Sequence, residues 1–403
     1  MTQSKERQKL IILIVVGLMY SIAIAYFFQS LPSVRLTSDF FPRWHASHQL
    51  LTKGRSIYDW ANATEVSEIT GWPYLNQLGY YYPAYLLIFT VPLALLPYEV
   101  AHVIWVVFGL WCLWLGIFIF AKRLSPNLSL NRLTVLLALV TTAVPVFQHT
   151  LYAQFNTLAV LTLALVYLAL YKERYLLAGL WAGGLLFKPH ATLLPLLFIL
   201  VWSAFKRERW PVWLGLGLIS GALWGIAELL EPNWVMSFLQ SLGSYVRIYS
   251  VIDILFWNPY QLISIILFGL TLWLVFRFRY VSARDTPFYG LLAWTICLNA
   301  LIIPMYGMLH IVLLGPVFAI VLSGFETHYP DQVRWLWLGT VGLFIAGLLA
   351  FVLPLLLTDS TGLQINFSEV VYRFTMPIIL SIITLPLIFI RRDNEAIHHH
   401  SRL

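Results

Sequence analysis

Charge is what this chain has least of. Asp, Glu, Lys and Arg make up 11% of its 403 residues, where a soluble domain carries about a quarter. With 60% hydrophobic residues beside so few ionic ones, a water-soluble globular chain is excluded. The sequence reads as an all-α polytopic membrane protein, one integral membrane domain over residues 1–403. Cysteine is nearly missing too: Cys112 and Cys297 each sit inside an apolar run, so no disulfide framework is available. There is no internal repeat, no low-complexity segment and no soluble domain. A cleavable signal is not expected either, because the first apolar segment, from Leu10, is too long and reads as a retained helix.

What is present is a series of long apolar runs. A spanning helix needs roughly 20 apolar residues, and twelve runs qualify as candidates: 10–30, 100–121, 133–149, 154–171, 175–187, 189–205, 211–230, 258–276, 286–303, 308–325, 335–357 and 371–390. A further run, 84–97, is short and holds Pro92 and Pro97, so it reads as a helix lying in or dipping into the interface. The basic residues set the orientation. With the N-terminus in the cytoplasm, 18 of the 25 Lys and Arg fall in inner segments and 7 in outer ones, as the positive-inside rule requires. That asymmetry also accounts for the net charge of +7 without nucleic acid. The same topology makes two outer loops long, 31–99 and 231–257.

Polar side chains collect in those outer segments. The first loop opens with Thr37-Ser38-Asp39-Phe40-Phe41-Pro42-Arg43-Trp44-His45, where the first long apolar segment ends. Gly54-Arg55-Ser56-Ile57-Tyr58-Asp59 and Tyr80-Tyr81-Tyr82-Pro83 follow. His149, Gln154, Asn156, Lys188, His190, Arg247, Asp253 and His310 fall on the same side. The histidine spacing matches no zinc motif, and no Asp-x-Asp pair lies near Asp39, so neither a metal nor a cofactor is expected. The tail around His398, His399 and His400 is short and reads as a solvated end.

The order of these motifs resembles a known family. Ser38-Asp39-Phe40 just after the first helix comes first, then Gly54 with Tyr58-Asp59, then Tyr82-Pro83 ahead of Val91-Pro92-Leu93-Ala94-Leu95-Leu96-Pro97. Ala153-Gln154-Phe155-Asn156 then opens a helix, and Leu177-Ala178-Gly179 leads to Phe187-Lys188-Pro189. Together they resemble glycosyltransferase family 87, polyprenyl-phosphate-sugar-dependent transferases of the GT-C superfamily. The mycobacterial mannosyltransferases of phosphatidylinositol mannoside synthesis belong to it. The likeness runs well over residues 36–210 and in topology beyond. It implies a GT-C-type bundle of about twelve transmembrane helices with outer-face loops, and a catalytic aspartate at Asp39. The chain departs from many relatives in having Ala153 where they have Gly, and in lacking an acidic residue in Pro304–His310.

Each candidate has a plainer reading beside the functional one. Asp39 could cap a helix or, ionised among Phe40, Phe41 and Trp44, take a proton from a sugar hydroxyl. For Asp59 the choice is between orienting its loop and serving as a second active-site carboxylate, the loop role being preferred. Lys188 follows an apolar run of only thirteen residues, so it either snorkels or meets an anion beside the helix that Pro189 starts. Gln154 and Asn156 can cap their helix or present amides to sugar hydroxyls. His190 and His310 are candidate substrate contacts at helix ends, with Tyr82 in the preceding aromatic turn. Arg247, between Tyr245 and Tyr249, reads first as part of an interfacial helix.

The expected activity is transfer of a hexose, most simply mannose, from a polyprenyl-phosphate sugar to a lipid or glycan acceptor. It would occur on the outer face of the cell membrane, with inversion and Asp39 as general base. Membrane lipids and the two substrates are the expected partners. One rival is a ligase or polymerase that moves a whole glycan from the same kind of donor. The other is a transporter without catalysis, which would place its binding residues near the midplane on repeated broken helices.

Overall fold

A computed structural model of the chain describes residues 2–31, 38–126, 128–246, 261–303, 308–357 and 370–390. Every regular element among them is helical. The first four α-helices are α1 (Thr2–Ser30), α2 (Phe40–Lys53), α3 (Trp60–Thr70) and α4 (Leu87–Ala94). The chain continues through α5 (Tyr98–Leu124), α6 (Leu130–Thr142), α7 (Val144–Leu151), α8 (Asn156–Tyr171), α9 (Tyr175–Ala182), α10 (Pro189–Ala204) and α11 (Pro211–Leu230). It closes with α12 (Trp234–Val246), α13 (Gln261–Arg277), α14 (Thr286–Ile302), α15 (Leu314–His328), α16 (Val333–Leu357) and α17 (Met376–Ile388). The described part of the first outer segment, 38–99, expected as a loop around the short 84–97 helix, is largely helical.

Each of the twelve predicted apolar runs carries a helix, but length separates them. Among the described residues six helices are long and apolar enough to cross a membrane, or seven if the bent pair α6–α7 counts as one span. The others are shorter apolar helices of 10–17 residues, so the expected twelve is not reached by that measure. The physical reason is local. Between α6 and α7 the axis turns by 60° at Ala143, because Pro145 has no N–H for the carbonyl of Thr141 and its ring crowds the preceding turn. After α9 the chain tightens into a 3₁₀ turn, Gly183–Phe187, that ends the helix short of Lys188.

At the centre sit α14 and α15. Nearly every residue of α14 is buried, from Thr286 to Ala300, and α15 is buried from Leu314 to Phe325. A helix that is apolar and covered all round belongs to the interior of a bundle. Helices α10, α15 and α17 pack on α14, and α5 packs on both α15 and α8. The lining of an apolar cleft of about 490 Å³ between α1, α5 and α6 has no charged side chain. Its threonines 134, 141 and 142 spend their hydroxyls on their own helix. Chemistry therefore has to be sought elsewhere.

Close packing of α9 on α11 depends on two glycines. A Cβ on Gly215 would stand 2.2 Å from the Leu176 carbonyl oxygen, and one on Gly179 would stand 2.1 Å from that of Val212. Apolar helices in lipid associate through such small-residue contacts, and here backbone faces backbone, so nothing can swing aside. Gly215→Val is expected to lower the thermal midpoint of the detergent-solubilised protein, on the scale of about 1–3 kcal/mol or more for overpacking. Gly217, two residues on, has nothing within 4 Å of its Cβ position, and Gly217→Ala should leave that midpoint in place. Equal behaviour of the two variants would contradict this account of the interface.

Candidate functional site

The site is built from a turn, a helix start and a helix end that meet. The turn joins α7 to α8. Gln154 N–H donates to His149 O at 3.1 Å and Ala153 N–H to Thr150 O at 3.1 Å, the paired bonds of a Schellman helix end. That motif needs a left-handed residue, and Ala153 supplies it at φ 48°. Glycine is the usual occupant of such a position because a Cβ costs energy there. Ala153 O accepts from the Trp105 indole at 3.0 Å, and Tyr152 O accepts from Asp39 N–H at 2.9 Å. The turn thus fixes where Asp39 begins α2.

Helix α2 starts without help from the Asp39 carboxylate. Ser38 provides the cap: its Oγ accepts from Phe41 N–H at 3.3 Å and shares a 2.8 Å hydrogen bond with the Tyr98 hydroxyl. Asp39 makes no side-chain cap bond and is half-buried. Asp59, by contrast, does cap: its Oδ1 accepts from Ala61 N–H at 2.9 Å at the start of α3, and the residue is exposed. The two aspartates therefore do different work.

Lys188 lies where the 3₁₀ turn after α9 meets α10, only 6% exposed. Its Nζ donates to Gln154 Oε1 at 2.7 Å and stands 5.9 Å from the centre of the Tyr82 ring. Burial pulls its ammonium down to about 7 from an ordinary 10.5; the Asp39 carboxylate opposes that fall and Arg43 adds to it. Asp39, Gln154, Lys188 and Tyr82 are therefore neighbours, although 149 residues separate the first aspartate from the lysine.

Arg43 is the member that sequence reasoning missed. It is 6% exposed, its guanidinium lies 5.1 Å from the Tyr82 ring centre, and Nε and Nη1 have no hydrogen-bond partner among the described residues. Arg209, also buried, makes the contrast: its two terminal nitrogens reach the carbonyls of Trp202, Arg279, Tyr280 and Val281. A buried cation is costly unless paired, so two of them near one aromatic ring, with Asp39 as the nearby carboxylate, make a cradle for an anion. The available signal was periodicity. Arg43 falls four residues after Asp39 on an amphipathic helix whose buried face also carries Phe40, Ala46 and Ser47.

The histidines close the other side. His190 Nε2 and His310 Nε2 are 3.0 Å apart, so the pair shares a single N–H···N bond when neutral. Asn156 Nδ2 donates to Leu309 O at 2.8 Å, tying the start of α8 to the His310 turn. Asn299 of α14, also unforeseen, donates to the carbonyls of His190 and Ala191 at 3.0 Å each and accepts from Leu194 N–H at 3.0 Å. It locks the first turn of α10 beside Lys188. Arg247 and Asp253, much of the 231–257 loop, residues 304–307 and the histidine tail lie outside the described residues.

Comparison with known proteins then gives a family match. The family model described as Glycosyltransferase family 87 fits residues 80–304, more than half of the chain. That range takes in Tyr82, Gln154, Asn156, Lys188 and His190, and begins after Asp39, Arg43 and Asp59. No curated protein and no solved structure matches the chain.

Proposed function

The chain belongs to glycosyltransferase family 87, and from that premise we propose that it transfers a hexose, most simply mannose, from a polyprenyl-phosphate sugar. The acceptor is a hydroxyl of a lipid or glycan on the outer face of the cell membrane. A topology with both termini inside goes with this reading, and the 18-to-7 division of basic residues supports it.

The observation that carries the proposal is the meeting of one uncommitted carboxylate, Asp39, with two buried cations, Lys188 and Arg43, around Tyr82. Each has a task in a single displacement. Asp39 takes the proton of the acceptor hydroxyl, whose oxygen attacks the anomeric carbon. The bond from that carbon to the phosphate oxygen breaks, and the lipid phosphate leaves with the electron pair. Because one attack replaces one bond, configuration inverts and no second carboxylate is required. The phosphate gains negative charge as the diester becomes a monoester, where preset cations stabilise the transition state more than the ground state. Lys188 and Arg43 supply the positive charge that meets it, with the His190–His310 pair and the Gln154 and Asn156 amides beside them for the sugar.

Purified protein given labelled polyprenyl-phosphate mannose and total membrane lipid from its host should yield a labelled lipid or glycan bearing one added sugar. Transfer of a whole glycan chain would move the assignment to a ligase or polymerase. Binding of donor without any transfer would favour the transporter.

A further inference from the structure

Glu231 is the only acidic residue among the described ones that is buried below a tenth of its surface, at 4% exposed. It ends α11, where the chain turns through Pro232 and the left-handed Asn233 (φ 60°) into α12. A buried carboxylate costs several kcal/mol unless hydrogen-bonded or paired. The turn is already closed by another acid, since Glu228 Oε1 accepts from Asn233 N–H at 2.8 Å. Glu231 reaches across 174 residues instead, and its Oε2 accepts from Ile57 N–H at 3.0 Å.

That bond has a consequence for the next residue. Tyr58 is held on its other side by its hydroxyl, which donates to Tyr82 O at 2.8 Å. Tyr82 is the residue whose ring lies between 5 and 6 Å from both buried cations, at 5.1 Å from Arg43 and 5.9 Å from Lys188. The connection is continuous: Glu231 to Ile57, Ile57 to Tyr58 through the backbone, Tyr58 to Tyr82, and Tyr82 to the cation cradle. A second strut runs alongside it, because Ser241 of α12 donates to Tyr80 O at 3.1 Å. Two attachments from the α11–α12 corner thus meet the aromatic turn that carries Tyr82. Tyr58 is also packed edge-on against Tyr80 at 5.6 Å, which leaves its hydroxyl few other directions.

Resting on the lipid-phosphate reading above, we propose that Glu231 is a positioning residue for the donor, setting Tyr82 between Arg43 and Lys188 through Ile57 and Tyr58. It touches neither the reacting sugar nor the phosphate. Its effect is on how well the two cations are aligned before the donor arrives, so affinity for the phosphate depends on it, and the turnover that the same cations serve falls with that affinity.

The test uses the full-length protein in detergent and a short-chain prenyl monophosphate as the probe. Glu231→Ala and Tyr58→Phe should each weaken probe binding by about tenfold, the scale of one net hydrogen bond. The double variant should be no weaker than either single one, because both break the same connection. Glu231→Gln keeps an oxygen for the Ile57 N–H and should restore affinity. In Glu231→Ala and Tyr58→Phe the donor KM should rise and turnover at saturating donor fall together, and both should recover in Glu231→Gln. Additive losses, a Gln variant as weak as Ala, or unchanged affinity in Tyr58→Phe would each overturn the proposal. Should Glu231→Ala fail to fold, the Gln and Phe variants still decide it. If the unmodified protein does not bind the probe, the lipid-phosphate reading falls first; if it binds and the variants match it, only the positioning role falls.

Discussion

Asp39→Asn is expected to lower sugar transfer by about 10²-fold or more, the usual scale for losing a general base, while donor binding and folded yield hold. The substitution keeps size and hydrogen-bonding capacity and removes only the basic oxygen. The local structure makes this variant informative. The cap of α2 belongs to Ser38, whose Oγ accepts from Phe41 N–H, and the Asp39 backbone is fixed by Tyr152 O at 2.9 Å. Neither contact uses the carboxylate, so a loss of activity cannot be assigned to a lost cap. Ser38→Ala is the matching control: it should lower the thermal midpoint, by about 1 kcal/mol for a lost helix cap, with a smaller effect on rate. Near-normal turnover of Asp39→Asn would remove the base from the mechanism. The base would then have to be sought among the other groups of the site, the His190–His310 pair included.

The sequence made some of this legible and hid the rest for identifiable reasons. Asp39, Gln154 and Lys188 stood out because polar residues at the ends of apolar runs are few. What they do to one another depends on contacts over separations of 34 residues and more, such as Lys188 to Gln154, which no periodicity reveals. Asp59 was visible as a carboxylate that orients its loop or serves the site; that its Oδ1 accepts from Ala61 N–H at the start of α3 needed the structure. Arg43 stood in the same stretch as Asp39 and was not singled out. Its burial follows only from the way α2 packs on α4, where Ser47 donates to Thr90 at 2.7 Å and the Trp44 indole to Leu93 O at 3.1 Å. Glu231 was hidden for the same reason, since its partner Ile57 lies in a different segment. Apolar runs likewise gave the sequence of helices without their lengths, because the Pro145 break and the Gly183–Phe187 turn act inside runs that look continuous by composition.

Lys188→Met is expected to lose donor affinity and about 10² of turnover, the scale for removing one preset group that stabilises transition-state charge, yet to fold more stably. Both halves follow from the same burial. In the folded protein the amine titrates near 7, against an ordinary 10.5. Between those values the unfolded lysine holds a proton that the folded one has released, so stability rises with pH across that window. It is lost again as pH falls through about 7, where the ammonium must be buried. Methionine removes this penalty, and its advantage in thermal midpoint over the wild type should grow toward acid pH. An anion reverses the preference, because a phosphate beside the amine favours the charged form. The donor-free enzyme should therefore show kcat/KM falling as pH rises above about 7, while the limb in kcat, which reports the complex, lies higher. Lys188→Arg should abolish the limb, since a guanidinium stays charged, and keep part of the activity, because a planar fork replaces a compact point charge imperfectly. A lysine that only lay along the interface would give none of this. Its Met variant would bind donor and turn over as before, and the limb would survive the Arg substitution. That outcome would leave Arg43 as the cation on the leaving phosphate and return Lys188 to a packing role beside Gln154.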